Sequence, residues 1–436
     1  MKHKSNLDGK PVYVIDGNRT PFLKAKGIGP FTAADLGVQA GRPLLDRLPF
    51  SPKNIDEVII GCVMSSPDEI NIARVISQRL GIGEHVPAYT VMRNCASGMQ
   101  AIDCGAIQIA NGRSNLVLVG GTESMSHAAI LLNEKMVGWL NKWFNTRTTS
   151  QKIKLITQLK PSYLVPIIAL IKGLMDPIAC INMGQTAENI AYKFDITRNE
   201  MDEFSNNSHL RTAAAYANNH MSEVTPIIDA FGNLYSEDNG YRADSTIEGL
   251  AKLRPYFDKK YGMVTAGNSS QITDGACLLI LASAEAVKQY KLPILGRIID
   301  SEWSGLDPAF MGLGPTYATS PILQRHNLTP QDIDCWEINE AFAVQVLGCL
   351  HAFNDSEFCK ENLGLTKAIG APPIDKLNID GGAIAIGHPV GASGARIVLH
   401  LLHALKNNQW ERGIASICIG GGQGGAMYLE RFNEAK

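Results

Sequence analysis

The sequence predicts a duplicated α/β fold, and three observations predict it. The segment Asn94-Cys95-Ala96-Ser97-Gly98-Met99 is echoed far downstream by His388-Pro389-Val390-Gly391-Ala392-Ser393-Gly394-Ala395. Behind each Ala-Ser-Gly, apolar residues recur at matching intervals: Met99, Ile102, Ala106 and Ile109 in the first copy, Ala395, Val398, Leu402 and Leu405 in the second. Such steps are the period of a helix that buries one face. Each helical period then leads to an apolar run ending in glycines, Leu116-Val117-Leu118-Val119-Gly120-Gly121 and Ile414-Ala415-Ser416-Ile417-Cys418-Ile419-Gly420-Gly421-Gly422. One unit of small-residue turn, helix, buried strand and glycine turn therefore occurs twice, the mark of an internal repeat.

Composition sets the class. A chain of 436 residues with 45% hydrophobic content is long enough for a large buried core. A formal net charge of −2 gives no general basis for nucleic-acid binding, which calls for a clustered basic surface. Nine cysteines, odd in number and without paired spacing, point to a reduced, cytoplasmic compartment. The start, Met1-Lys2-His3-Lys4, is basic but is followed by polar residues and not by a secretory apolar core. The longest apolar stretch, Leu164 to Met175, is broken by Pro166 and Lys172, and a membrane span needs about 20 apolar residues.

In chain order, strands are expected at Val12–Ile15, Val58–Ile60, Leu116–Val119, Leu278–Leu281, Ile294–Ile299, Ile333–Ile338 and Ile414–Ile419, alternating with helical periods. The repeat breaks between about Ser124 and Gly267, where polar loops are densest. We expect a first half of residues 1–124 with 268–292, an inserted domain at 125–267, and a second half at 293–436.

Three residues carry candidate chemistry. Most cysteines of a reduced compartment are small buried hydrophobes. Cys95 is set apart by its place ahead of a helix, where free N–H groups and the helix dipole favour a thiolate and can hold an oxyanion. His388 lies three residues before the position that repeats Cys95, and Pro389 keeps it out of the helical region. If the halves pack face to face, its imidazole reaches Cys95 and takes the thiol proton. Cys418 ends a strand ahead of a glycine turn whose N–H groups are free to face a ligand. No Walker-type Gly-x-x-x-x-Gly-Lys-Ser/Thr segment is present.

Together with Asn339-Glu340-Ala341-Phe342-Ala343, Arg19-Thr20-Pro21-Phe22, Leu253-Arg254-Pro255-Tyr256-Phe257 and Thr265-Ala266-Gly267-Asn268-Ser269-Ser270, these segments resemble the thiolase family, in that family's order. The resemblance implies a five-layered α/β/α/β/α fold with an inserted loop domain, working as a dimer or tetramer. It implies 3-ketoacyl-CoA thiolysis by a ping-pong route through an acyl-cysteine. Cys95 would be the nucleophile, His388 its base, and Cys418 the group that protonates and deprotonates carbon or serves coenzyme A in the second half-reaction. Asn339, through an ordered water held with His388, would bind the thioester oxygen, and the N–H groups of Cys95 and Gly420 would form a second oxyanion hole. Coenzyme A enters as substrate, with no permanently bound cofactor and no metal. Ser270 and Ala266 would lie along its pantetheine, Met183 and Phe342 would line the tunnel, and Arg242 would stand near the adenine.

Within the insertion, Lys135, Lys142, Arg147, Lys152, Lys154, Lys160 and Lys172 face only Glu134 and Asp176, interleaved with Met136, Trp139, Trp143, Phe144, Ile153 and Leu155. Residues 134–176 thus read as a basic amphipathic hairpin that lies on an anionic membrane surface or docks a partner. This is similar to the thiolase subunit of β-oxidation complexes, whose hydratase and dehydrogenase steps reside on an α-subunit. Many short-chain biosynthetic thiolases carry His-Met-Gly where this chain has Asn182-Met183-Gly184, which argues against acetoacetyl-CoA synthesis. The alternatives are that biosynthetic acetyltransferase, a decarboxylating ketoacyl synthase, and a non-catalytic docking or scaffold subunit. A metal site at Cys349, His351 and Cys359 has no usual zinc spacing.

Overall fold

In this computed structural model the strand β1 (Val12–Arg19) pairs along both edges and joins two sheets of like topology. Leu7 and residues 9–432 are described; the basic start Met1-Lys2-His3-Lys4 lies outside them. The other main strands are β2 (Glu57–Gly61), β3 (Ala88–Val91), β4 (Leu116–Ser124), β5 (Thr273–Ala282), β6 (Gly296–Gly305), β7 (Cys335–Ile338), β8 (Arg412–Ile419) and β9 (Gln423–Arg431). With the short strand Leu23–Lys24 beside β5, they form a ten-stranded sheet in the order β7-β8-β9-β6-β1-β5-β4-β2-β3.

The duplication is visible strand by strand. In the first half β2 and β4 are parallel, and β4, β5 and β1 follow antiparallel. In the second half β7 and β8 are parallel, and β8, β9 and β6 follow antiparallel. Even the irregularities repeat: the register slips between Val14 and Asp16 in β1, and between Ile298 and Asp300 in β6, as at a β-bulge. Each bulge aspartate is held by an arginine from a helix end on its own half, Arg47 Nε to Asp16 at 2.6 Å and Arg325 Nε to Asp300 at 2.8 Å.

Helices α1 (Ala33–Asp46) and α2 (Ile72–Arg79) cover the outer face of the first sheet, and α3 (Ser97–Ala110) lines its inner face. The insertion supplies α4 (Glu134–Asn145), α5 (Thr149–Ile156), α6 (Met183–Phe194) and α7 (Arg198–Ala217). The second half adds α8 (Gly314–Arg325) on its outer face, α9 (Ala343–Asn354), and the inner α10 (Val390–Asn408). The layers therefore alternate helix, sheet, helix, sheet, helix. The apolar positions expected to face inward, Met99, Ile102, Ala106, Ile109, Ala395, Val398, Leu402 and Leu405, are all fully buried in the central cluster between the sheets.

Glycine lets the two inner helices meet. A Cβ on Gly98 would stand 2.8 Å from the Gly391 carbonyl oxygen, and one on Gly394 would stand 2.7 Å from the Met99 nitrogen. Larger residues would push α3 and α10 apart.

Residues 134–176 are built otherwise. Neither α4 nor α5 contains a buried residue. They pack on each other through the Trp139 indole, which donates to the Leu155 carbonyl at 2.9 Å and stacks on Trp143. Phe144, Ile153, Leu164, Val165 and Ile171 stay exposed. The insertion's own core instead lies on α6 and α7, where Ile190 and Met201 join a cluster with Phe342 and Cys418.

Candidate active site

Asn94 adopts φ 43°, a left-handed turn that asparagine tolerates, and this turn presents Cys95 just ahead of α3. The helix is capped by Ala96 with no side-chain hydrogen bond; the N–H groups of Ala96 and Ser97 turn back to the carbonyls of Arg93 and Asn94, each at 3.0 Å, which leaves the Cys95 N–H to face the sulfur. Ser97 Oγ braces the turn from within, accepting from Arg93 N–H at 2.9 Å and donating to the Asn94 carbonyl at 2.7 Å. The glycine turn after β8 approaches from the other half: Asn94 Nδ2 donates to the Gly420 carbonyl at 2.7 Å. Cys95 Sγ then lies within reach of the N–H of Gly420 and of its own N–H.

The expected lowering of the Cys95 thiol is not met. Burial pushes it above its usual value, the two N–H groups pull it down less, and the nearby Glu123 charge adds to the rise. Burial in a low-dielectric seam outweighs the helix start. A base must therefore take the proton.

His388 has the tautomer and the free nitrogen of one. Its ring Nδ1 lies 2.6 Å from Ser393 Oγ, and that hydroxyl donates to the Pro389 carbonyl at 3.1 Å. With the hydroxyl proton used there, Ser393 accepts from Nδ1–H, which leaves the lone pair on Nε2. Nε2 is buried and has no hydrogen-bond partner among the described residues. Burial, with the Arg396 charge behind it, lowers the imidazole to about 3, so it is neutral and receptive at ordinary pH. Asn339 is fully buried, and its Oδ1 faces Arg396 Nη2 at 3.4 Å. Its Nδ2 likewise has no hydrogen-bond partner among the described residues.

Cys418, at the end of β8, is held in its neutral form by burial and by the proximity of Cys95 and Cys349. A thiol so raised keeps its proton at ordinary pH and yields it only to a strong base such as an enolate carbon. Gly420 has its N–H beside Cys95, and a Cβ there would stand 3.2 Å from Met183 Sδ. Cys95, Gly420, Cys418 and Met183 thus come together, while Asn339 is bonded to Arg396, whose charge also acts on His388.

The coenzyme A candidates divide. Phe342 packs edge-on against Phe257 with ring centroids 5.9 Å apart, Ser269 pairs with Phe342, and Ser270 N–H donates to the Ala341 carbonyl at 2.9 Å. Ser270, Met183 and Phe342 therefore share one wall, with Ala266 exposed at its edge. Arg242 stands apart on the insertion, exposed, its N–H on His209 Nδ1 and its charge beside Lys24. The thiols of Cys349 and Cys359 donate to the carbonyls of Gly312 and Ala352, the behaviour of buried hydrophobes.

Sequence reasoning missed Ser393, Arg396 and Glu123. Ser393 was legible as part of the repeated Ala-Ser-Gly. Arg396 and Glu123 were marked only by being charges inside or directly after apolar runs.

Residues 12–285 match the family model "Thiolase, N-terminal domain" and residues 292–431 match "Thiolase, C-terminal domain". A 3-ketoacyl-CoA thiolase of Serratia proteamaculans is 36% identical over 426 residues, covering 97% of each chain. One of Photobacterium profundum is 35% identical over 436 residues, covering 99% of each. Among solved structures, human mitochondrial 3-ketoacyl-CoA thiolase in complex with CoA superposes with a TM-score of 0.84 at 36% identity, covering 99% of this chain and 100% of that one. The acetyl-CoA acetyltransferase of Bacillus anthracis gives 0.83 at 34%, covering 98% and 100%.

Proposed function

The chain belongs to the thiolase family, and from that premise we propose that it is a 3-ketoacyl-CoA thiolase, an acyltransferase of fatty-acid β-oxidation. Coenzyme A is its second substrate. The observation that carries the reading is the placement of Cys95 Sγ beside the N–H of Gly420, while the only lone pair of the His388 ring is left unpartnered.

In the first half-reaction His388 Nε2 takes the Cys95 proton and the thiolate adds to the C3 ketone. The N–H groups of Cys95 and Gly420 receive the resulting oxyanion. The bond between C2 and C3 then breaks toward the thioester, whose enolate oxygen is held by Asn339 through an ordered water and by the imidazolium of His388. Cys418 gives its proton to the enolate carbon, and acetyl-CoA leaves. In the second half-reaction the Cys418 thiolate takes the proton of free coenzyme A, whose sulfur attacks the acyl-Cys95 thioester. Cys95 departs as thiolate and regains its proton from His388. Splitting the reaction avoids one difficult displacement.

Ser270, Ala266, Met183 and Phe342 line the pantetheine path in this reading, and Arg242 with Lys24 meets the nucleotide end. Residues 1–124 with 268–292 form one thiolase half, 125–267 the inserted loop domain, and 293–436 the other half. The protein works as a homodimer or tetramer in the cytoplasm. The exposed apolar and basic residues of 134–176 serve a hydratase and dehydrogenase α-subunit, with peripheral contact to an anionic membrane; no helix among the described residues is long and apolar enough to cross one. The test is thiolysis of 3-ketoacyl-CoA esters of increasing chain length with free coenzyme A. Turnover of medium and long chains supports the degradative reading, and turnover of acetoacetyl-CoA alone replaces it with the biosynthetic one.

A further inference from the structure

Glu123 lies near the end of β4, at the seam of the two halves, and no step above uses it. It is fully buried. Its carboxylate accepts from the N–H groups of Val63, Met64 and Gly391, each at 3.0 Å, with the Cys62 thiol at 3.5 Å. Val63 and Met64 follow β2 in the first half, whereas Gly391 sits in the first turn of α10 in the second. A Cβ at position 391 would stand 2.8 Å from Glu123 Oε2 and 3.1 Å from Cys62 Cα, so glycine alone lets the carboxylate in.

Position 391 is the one that repeats Cys95, since each directly precedes an Ala-Ser-Gly. The two helix starts have opposite fates. At Cys95 the N–H faces the reactive sulfur together with that of Gly420. At Gly391 the equivalent N–H is filled by the protein's own carboxylate. The site of His388 depends on the same turn: its N–H donates to the Gln271 carbonyl at 3.0 Å, and its ring is held by Ser393 of α10.

We propose that Glu123 is a positioning residue, a built-in anion that closes the second helix start and clamps α10, and with it His388, against the first half. A buried carboxylate with three backbone donors is preorganised and costs no rearrangement during reaction. Only the helix start at Cys95 is then open to a substrate oxyanion. The proposal rests on the thiolase reading for its kinetic consequence, but not for its geometry.

The test uses the full-length protein with Glu123→Ala and Glu123→Gln, assayed at about pH 8, above the value of about 7 at which Glu123 loses its proton. Thiolysis kcat falls about thirtyfold or more in both, with KM changed less than about threefold, the split expected when positioning and not binding is lost. Glutamine keeps the shape but turns an amide donor toward backbone donors, so it does not restore the clamp. Sodium formate, which fits the space left by alanine, restores at least part of kcat in Glu123→Ala and leaves wild type and Glu123→Gln unchanged. A residue that merely fills space shows no such rescue. Alkylation of Cys95 by iodoacetamide across pH is followed alongside, and removing the anion shifts its profile to lower pH. Wild-type kcat in either variant, or a loss that formate never restores together with an unshifted alkylation profile, overturns the proposal. If wild type itself lacks thiolysis, the functional reading fails, and the alkylation profiles still decide the role of Glu123. If Glu123→Ala does not fold, Glu123→Gln decides by its kcat and its profile.

Discussion

The Asn94 side-chain amide reaches the Gly420 carbonyl at 2.7 Å, so a single hydrogen bond ties the turn before Cys95 to the glycine turn of the opposite half. Asn94→Ala removes that bond and places a residue without polar side chain in a left-handed turn. We expect a stability loss of about 1 to 2 kcal/mol. The kcat/KM for thiolysis falls roughly tenfold or more, because the Gly420 N–H loses its anchor. Urea unfolding and steady-state kinetics check both, and a variant equal to wild type in kcat/KM refutes the link.

His388 gives an acid-side prediction. Its pKa in the fold lies at about 3, below the unfolded value of about 6.5. Between those values the unfolded chain binds a proton that the folded chain does not, so His388 lowers stability as pH falls through that window. Replacing it with asparagine should remove about one proton from the slope of unfolding free energy against pH between roughly pH 4 and 6.5. Urea titrations of wild type and His388→Asn at several pH values measure that slope, and identical slopes count against a neutral buried imidazole.

His400 behaves in the opposite sense. Burial alone would lower it, but the Glu223 charge, the 2.9 Å hydrogen bond to Glu223 and the Asp380 carboxylate 3.5 Å from Nε2 prevail and raise it to about 10. Glu223, despite burial, is held well below its usual range by His400 and Arg19. The His400 contribution is fully present below about pH 6.5 and is lost as pH rises through about 10. The Glu223 contribution is present above the usual carboxylate range and is lost in acid. His400→Gln breaks a buried ion pair and should cost about 3 to 5 kcal/mol at neutral pH. The gap from wild type should narrow toward pH 10. A gap that stays constant from neutral pH to that point is inconsistent with a charged His400.

The insertion offers a prediction of its own. Because α4 and α5 bury no residue, deleting 136–172 should leave the fold and short-substrate thiolysis nearly unchanged. It should abolish co-purification with the hydratase and dehydrogenase subunit proposed above and weaken flotation with anionic liposomes. Unchanged behaviour in both would remove the docking role.

Much of this arrangement was legible in the residues. The repeated Ala-Ser-Gly segments and their three-and-four spacing placed α3, α10, β4 and β8, because buried helices and strands leave an apolar period in sequence. The strand β9 was not read, since its opening Gln423-Gly424-Gly425 continues a glycine turn, and β3 was too short to stand out. The seam was hidden for a different reason. Glu123 meets Gly391, and Arg396 meets Asn339, through contacts between residues far apart in the chain. Local pattern carries no trace of such contacts, and for the same reason the rise in the Cys95 thiol depended on burial that only the packed halves create.

The most direct measurement is mass spectrometry of the protein after brief incubation with 3-ketohexadecanoyl-CoA and no free coenzyme A, beside a Cys95→Ser control. The account predicts a palmitoyl adduct on Cys95, released as palmitoyl-CoA when coenzyme A is added and absent from the control. No adduct with this substrate or with acetoacetyl-CoA, or an adduct that persists in Cys95→Ser, would contradict it.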